Sequence, residues 1–291
     1  MPTITVRRNT QAKAALKAYR SRPRTAATGA VDPYVDKVDM AITLLGRLHP
    51  RDDSDSERRL SVAFTTFPET IRRSAAELRS PLSRRPNRPG MLRVGRTLGR
   101  LVDEGVTKAK AESTAPPSAC RRGCHFCCHL PVETTVPQVL VIADHLSRNF
   151  GPLEMHELRE RIDGYEARVA SHPSGKGLGL CPLNVDGACS VYEVRPTICR
   201  SYNSTDAGAC ERSFAKGWQA PIPIDYGPLG AEIAVQAGYS IAGLIQGRPY
   251  LSVSLVPALR TALDHPEAYR AEDFDVQDPF VEMADFGGLH S

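Results

Sequence analysis

The stretch CRRGCHFCCHL, residues 120–130, brings Cys120, Cys124, Cys127 and Cys128 within nine positions. The later run CPLNVDGACSVYEVRPTICRSYNSTDAGAC carries Cys181, Cys189, Cys199 and Cys210. These eight are all the cysteines of a 291-residue chain, and none occurs before residue 120 or after residue 210. Such grouping has a chemistry of its own. Short C-x3-C and C-x2-C steps let two thiolates on one turn reach the same ion, the arrangement used by zinc knuckles and iron-sulfur sites. Cys124 and Cys127 make the best-matched single knuckle. All eight cysteines are therefore candidate metal ligands.

The adjacent pair constrains the type of centre. Neighbours in an extended segment point to opposite sides. Either one of Cys127 and Cys128 ligates while the other packs as a small apolar side chain, or the centre is polynuclear. A structural zinc needs four ligands, so the surplus of thiols favours an iron-sulfur cluster, with a two-zinc arrangement equally compatible with the count. The expected cofactor is zinc or iron.

Other residues have supporting roles. Arg195 and Arg200 bring positive charge beside a thiolate-rich site, which lowers thiol pKa and offsets the charge of a tetrathiolate centre. Their simpler alternative is a surface ion pair with Glu193 or Glu211. His125 and His129 suit zinc or iron as imidazoles, but beside eight thiols they read as donors to sulfur or as plain solvent contacts. A nucleophile at Cys127 or Cys128 with His129 as base is disfavoured, because crowded thiols invite metal or disulfide chemistry. Asp186-Gly187 is a turn signal that folds Cys189 back toward Cys181. Pro196 biases Arg195 away from helix just ahead of Cys199.

Two helices must separate the cysteine groups. In TTVPQVLVIADHLSRNF, Thr135 and Gln138 form a capping box and Pro137 suits the first turn. LEMHELRERIDGYEARVA follows, with Glu157 four residues before Arg161. The Gly-rich loop over residues 171–180 lacks the spacing of a phosphate-binding loop.

The spacing C-x3-C-x2-C-C, followed by Cys181-Pro182-Leu183, Asp186-Gly187 before Cys189, Tyr192, Arg195-Pro196, Cys199-Arg200 and Tyr202, resembles the YkgJ-type cysteine-cluster family, described as a zinc- or iron-chelating domain. The resemblance is confined to residues 120–210. It implies cysteine-based metal binding in a mainly cytoplasmic bacterial setting and leaves the biochemical role open. Related cysteine motifs in flagellin lysine methylases imply that a redox or methyl-transfer context is conceivable.

Charge is unevenly spread. Residues 1–119 hold 23 Lys and Arg against 12 Asp and Glu, while the whole chain is only +4. With 41% hydrophobic and 24% charged residues the chain reads as globular. No secretory leader or membrane-length apolar run appears, so a cytoplasmic location and no membrane partner are expected, a setting that disfavours structural disulfides.

The predicted class is mainly α, a helical protein with an irregular cysteine-rich metal-binding module. Its regions are a basic tail without fixed structure (1–30), a basic helical region with a linker over residues 81–90 (31–115) and the cysteine-cluster domain (116–215). A helical C-terminal extension packing on that module (216–270) and an acidic tail (271–291) follow.

Three function classes fit: a zinc- or iron-binding protein, an iron-sulfur-dependent oxidoreductase or protein-modifying enzyme, and a zinc-stabilised scaffold. In the scaffold reading the basic N-terminal region meets protein or nucleic acid, although it lacks the interleaved aromatics that stack bases. No dinucleotide fingerprint, Walker motif, nucleophile elbow or zinc-deaminase pattern occurs.

Overall fold

The computed structural model describes residues 32–48, 62–83, 86–171, 179–247, 252–270, 273–274 and 276–277. The expected basic tail and most of the Gly-rich loop lie outside these residues.

The chain is mainly helical. After α1 (Pro33–Leu48) and a short helical stretch at 62–66 come α2 (Pro68–Ser83) and α3 (Arg88–Glu112). Proline opens α1 and α2, where its missing N–H leaves no helical bond unmade. Asn87 caps α3 by accepting a hydrogen bond from the Gly90 N–H at 3.0 Å. The linker expected over residues 81–90 is shorter in the structure, because α2 runs through Pro81 to Ser83 and α3 begins at Arg88.

Next come α4 (Val136–Asn149) and α5 (Pro152–Ser171), the antiparallel hairpin of β2 (Asn184–Val185) and β3 (Ala188–Cys189), and the short helices α6 (Thr197–Ser201) and α7 (Ala207–Ala215). Two longer helices, α8 (Tyr226–Ile245) and α9 (Leu255–Asp264), complete the helical set.

Two cores form. The first packs α8 against α1, α2 and α3, burying Ile71, Leu78, Leu98, Val102, Val235 and Ile241. Because α8 is apolar on nearly every face, it takes a largely buried position. Gly238 permits its closest approach, since a Cβ there would lie 2.5 Å from the Ile71 carbonyl oxygen.

The second core packs α4, α5 and α9 around Leu140, Ile142, Leu146, Leu158, Ile162 and Leu259. A three-stranded antiparallel sheet flanks it, in the order β1 (Glu133–Thr135), β4 (Ser252–Ser254), β5 (Val276–Gln277).

The C-terminal extension therefore divides. Only α9 packs on the helices between the cysteine groups, while most of α8 completes the N-terminal core. The beginning of the expected acidic tail is also built in: Phe274 is buried and Val276 pairs with Val253. Helix α3 belongs to both cores, with Leu92 in the second and Val94 to Val106 in the first. Among the described residues, no helix is long and apolar enough to cross a membrane.

Candidate metal centre

Short irregular segments deliver the cysteines and are fastened to one another by backbone hydrogen bonds. Ala119 N–H donates to the Ser204 carbonyl at 2.8 Å, placing Cys120 beside the segment before α7. Gly123, at φ 90°, turns the chain so that Cys124 N–H reaches the Arg121 carbonyl at 3.0 Å. Cys127 and Cys128 then lie in a 3-10 turn, Phe126–His129. Successive side chains in such a turn are about 120° apart rather than opposed. The extended-segment argument for the pair therefore does not apply, and the two thiols perturb each other's ionisation in opposite directions.

The second cysteine group docks on that turn. Cys181 N–H donates to the Cys128 carbonyl at 2.8 Å. Arg161 Nε on α5 donates to the Pro182 carbonyl at 2.9 Å and anchors the same segment to the helices. Asp186 (φ 51°) and Gly187 (φ 79°) form the two-residue loop of the β2–β3 hairpin. Positive φ at both positions is what a type I′ hairpin turn demands. Register pairs Asn184 with Cys189. Cys199 sits on α6, and Cys210 on α7, whose N-terminus Asp206 caps by accepting from Ala209 N–H at 3.1 Å.

The thiols fall into two neighbouring groups. Cys128, Cys181, Cys189 and Cys199 feel one another electrostatically. Burial is the main cause that pushes Cys181 up to about 12, and negative charge at Cys128 and Cys189 adds to it. Burial likewise raises Cys189 and, more strongly, Cys199. Cys210 is raised by burial and by Cys120 and Cys124, against a hydrogen bond with Ser204. Ser204 N–H also donates to the Cys120 sulfur at 3.3 Å.

Cys127 faces both groups. Its hydrogen bond with Cys128 raises it most, followed by burial and the charges of Cys128, Cys199 and Cys120. Cys128 is lowered, first by Cys127 and then by the Asn184 amide, with His125 and Arg195 adding positive charge. Cys120, Cys127 and Cys199 are exposed.

The two arginines separate in role. Arg195 stacks over the Tyr192 ring at 3.8 Å with its charge acting on Cys128, Cys189 and Cys199, and its Nε is buried without a partner. Arg200 instead holds the backbone: Nε donates to the Arg195 carbonyl at 2.9 Å and Nη2 to the Glu193 carbonyl at 2.7 Å. Its Nη1 meets Asp103 of α3 at 2.5 Å. Pro196 keeps Arg195 extended, at φ −54° and ψ 152°.

His125 stacks on Phe126 at 5.3 Å, and His129 lies 4.6 Å from Phe214, which meets Trp218 edge-on. Burial lowers the pKa of His129.

Sequence reasoning missed a buried polar cluster behind Cys199. Thr197 N–H donates to Gln138 Oε1 at 2.8 Å, and its hydroxyl donates to Glu232 Oε1 at 2.8 Å. Gln236 Nε2 reaches both the Thr197 hydroxyl and Glu232. Gln138 also donates to the Thr135 hydroxyl at 3.3 Å, so the expected capping box is replaced by this tertiary network. The helix still begins at Val136. Asn184 and Ser204, which contact sulfur, were likewise unmarked by sequence.

In donor chemistry these thiols suit zinc, or iron with sulfide. In spacing, no three His, Cys, Asp or Glu side chains among the described residues already stand as a ligand set.

The chain matches no family model, no curated protein and no solved structure.

Proposed function

We propose that this protein binds zinc or iron through its clustered cysteines, with an iron-sulfur cluster as the favoured form. The observation that carries the reading is the docking of the two cysteine-bearing segments on each other: Cys181 N–H donates to the Cys128 carbonyl at 2.8 Å, and Asn184, paired with Cys189 across the hairpin, donates to the Cys128 sulfur at 3.7 Å. Cys120, Cys124 and Cys210 form the second thiol group, and Cys127 lies between the two. This division favours two metal ions or a polynuclear centre over one four-thiolate ion. Bound there, the metal would supply soft Lewis acidity or, as a cluster, one-electron chemistry. Arg195 offsets thiolate charge from its place over Tyr192.

The motif that resembles the YkgJ-type family supports the same reading and names no reaction. The exposure of Cys127 and Cys199 favours, as a second reading, an iron-sulfur-dependent oxidoreductase or protein-modifying enzyme, because such a centre must be reached from outside.

Protein purified without oxygen tests the proposal through its absorption spectrum and its content of iron, zinc and acid-labile sulfide. Brown protein with iron and sulfide supports the cluster, and colourless protein with zinc supports the zinc form. Metal-free protein with eight reactive thiols sinks the reading.

A further inference from the structure

Asn184 touches the cysteines in three ways. Its backbone N–H donates to the Cys181 carbonyl at 2.9 Å, its Cα pairs with Cys189 across the hairpin, and its side-chain Nδ2 donates to the Cys128 sulfur at 3.7 Å. The residue is only 5% exposed, and its Oδ1 is buried without a hydrogen-bond partner. An orphaned buried acceptor is costly. The buried amide keeps its NH2 end on sulfur despite that cost.

Resting on the metal-binding reading above, we propose that Asn184 is a positioning residue that donates an N–H···S hydrogen bond to the Cys128 sulfur and thereby sets the strength of the metal–thiolate bond there. The bond does two things. It aims a sulfur whose adjacent neighbour, Cys127, competes for the same space. It also withdraws electron density from that sulfur, and hydrogen bonds to sulfur are among the features that set the properties of metal–thiolate centres. The donor is neutral and short, which suits a buried β2 position beside Cys128, Cys181 and Cys189. A leucine of similar volume fills the site without donating, and an aspartate keeps the shape while replacing the donor with an acceptor.

The test uses the full chain loaded with Co(II), whose sulfur-to-metal charge-transfer band reports the thiolates directly. Wild type, Asn184→Leu, Asn184→Asp, Cys128→Ser and the double variant Cys128→Ser/Asn184→Leu are compared for Co(II) count, band position and affinity against a competing chelator. Helical circular dichroism and melting temperature are followed in parallel. We expect Asn184→Leu to fold and bind the same number of ions, with a shifted band and affinity weakened about 10–100-fold. Asn184→Asp shifts the band further. In the Cys128→Ser background the Asn184 substitution adds little, because its acceptor is gone.

A wild-type band and affinity in both Asn184 variants overturn the proposal, as does an undiminished effect in the Cys128→Ser background. If both Asn184 variants unfold while Cys128→Ser folds, the amide holds the hairpin rather than the sulfur, and the proposal also fails. A wild-type protein that takes up no Co(II) is a different result: every arm is then blank, and the metal-binding reading falls together with this one.

Discussion

The Cys181 N–H donates to the Cys128 carbonyl at 2.8 Å, joining the two cysteine-bearing segments at their inner ends. The α4–α5 pair between them acts as a fixed spacer, and the hairpin after Cys181 completes the approach. Substitutions that loosen this closure will therefore act on the thiol group even when they change no cysteine.

Gly187 offers a direct case. At φ 79° it has ample space, since an added Cβ would meet only His125 Nδ1 at 3.9 Å. The strain of Gly187→Val is thus conformational, about 1–2 kcal/mol. Urea denaturation will show that loss, and metal content per folded chain will fall because Cys189 is no longer held opposite Asn184. Equal metal content in the variant would separate the hairpin from the site.

The two thiol groups predict different responses to single substitutions. Cys199→Ser removes a member of the four-thiol group, and Cys210→Ser a member of the other. With separate ions, each variant loses part of the metal and keeps the rest; with one shared cluster, either variant loses all of it. Elemental analysis of the two purified variants decides between these outcomes.

Arg200 is expected to matter for stability. Its guanidinium bridges two backbone carbonyls and reaches α3, but Asp103 is 56% exposed, so the ion pair itself contributes little. Arg200→Ala is expected to cost about 1–3 kcal/mol, mostly from the charge-assisted hydrogen bonds to the two carbonyls that it loses. Arg200→Lys will not restore the loss, because an ammonium cannot reproduce the planar fork. Denaturation midpoints of the three proteins provide the check.

Glu232 predicts a pH dependence. Burial raises its folded-state pKa, against the hydrogen bonds from Thr197 and Gln236. A raised value means that the protonated carboxyl is the form the folded protein favours. Its stability contribution is full below the ordinary carboxylate range and is lost as pH rises through the raised value. Glu232→Gln, an uncharged isostere, is expected to gain about 1–3 kcal/mol over wild type at about pH 8 and little at about pH 5. Denaturation at the two pH values measures it, and an equal effect at both would show that Glu232 is not the titrating group.

Much of the helical frame was legible because its signals are local. Thr135, Gln138 and Pro137 marked the start of α4, the Glu157–Arg161 spacing marked α5, and Asp186-Gly187 specified a turn whatever surrounded it. The remainder depended on distant partners. Strands of two or three residues such as Glu133–Thr135 are too short to show an alternating pattern. Thr135 and Gln138 carry a capping pattern, but Thr197 offers Gln138 a buried backbone donor that a solvent-exposed helix end would lack. Glu232 lies in an apolar run and gives no sequence sign that it is enclosed by Thr197 and Gln236. The grouping of cysteines was evident from spacing, whereas their division into two neighbourhoods required the 3-10 turn that turns Cys127 toward both.

Helix α3 has 25 residues and is therefore about 38 Å long, a single beam set through both halves of the molecule. One end is embedded beside α4, where Gly95 faces the Pro137 carbonyl, and its middle carries Asp103 beneath Arg200. A tilt of that beam cannot be confined to the N-terminal helices. Whatever leans on the far end will be felt as leverage at the loop between Glu193 and Cys199.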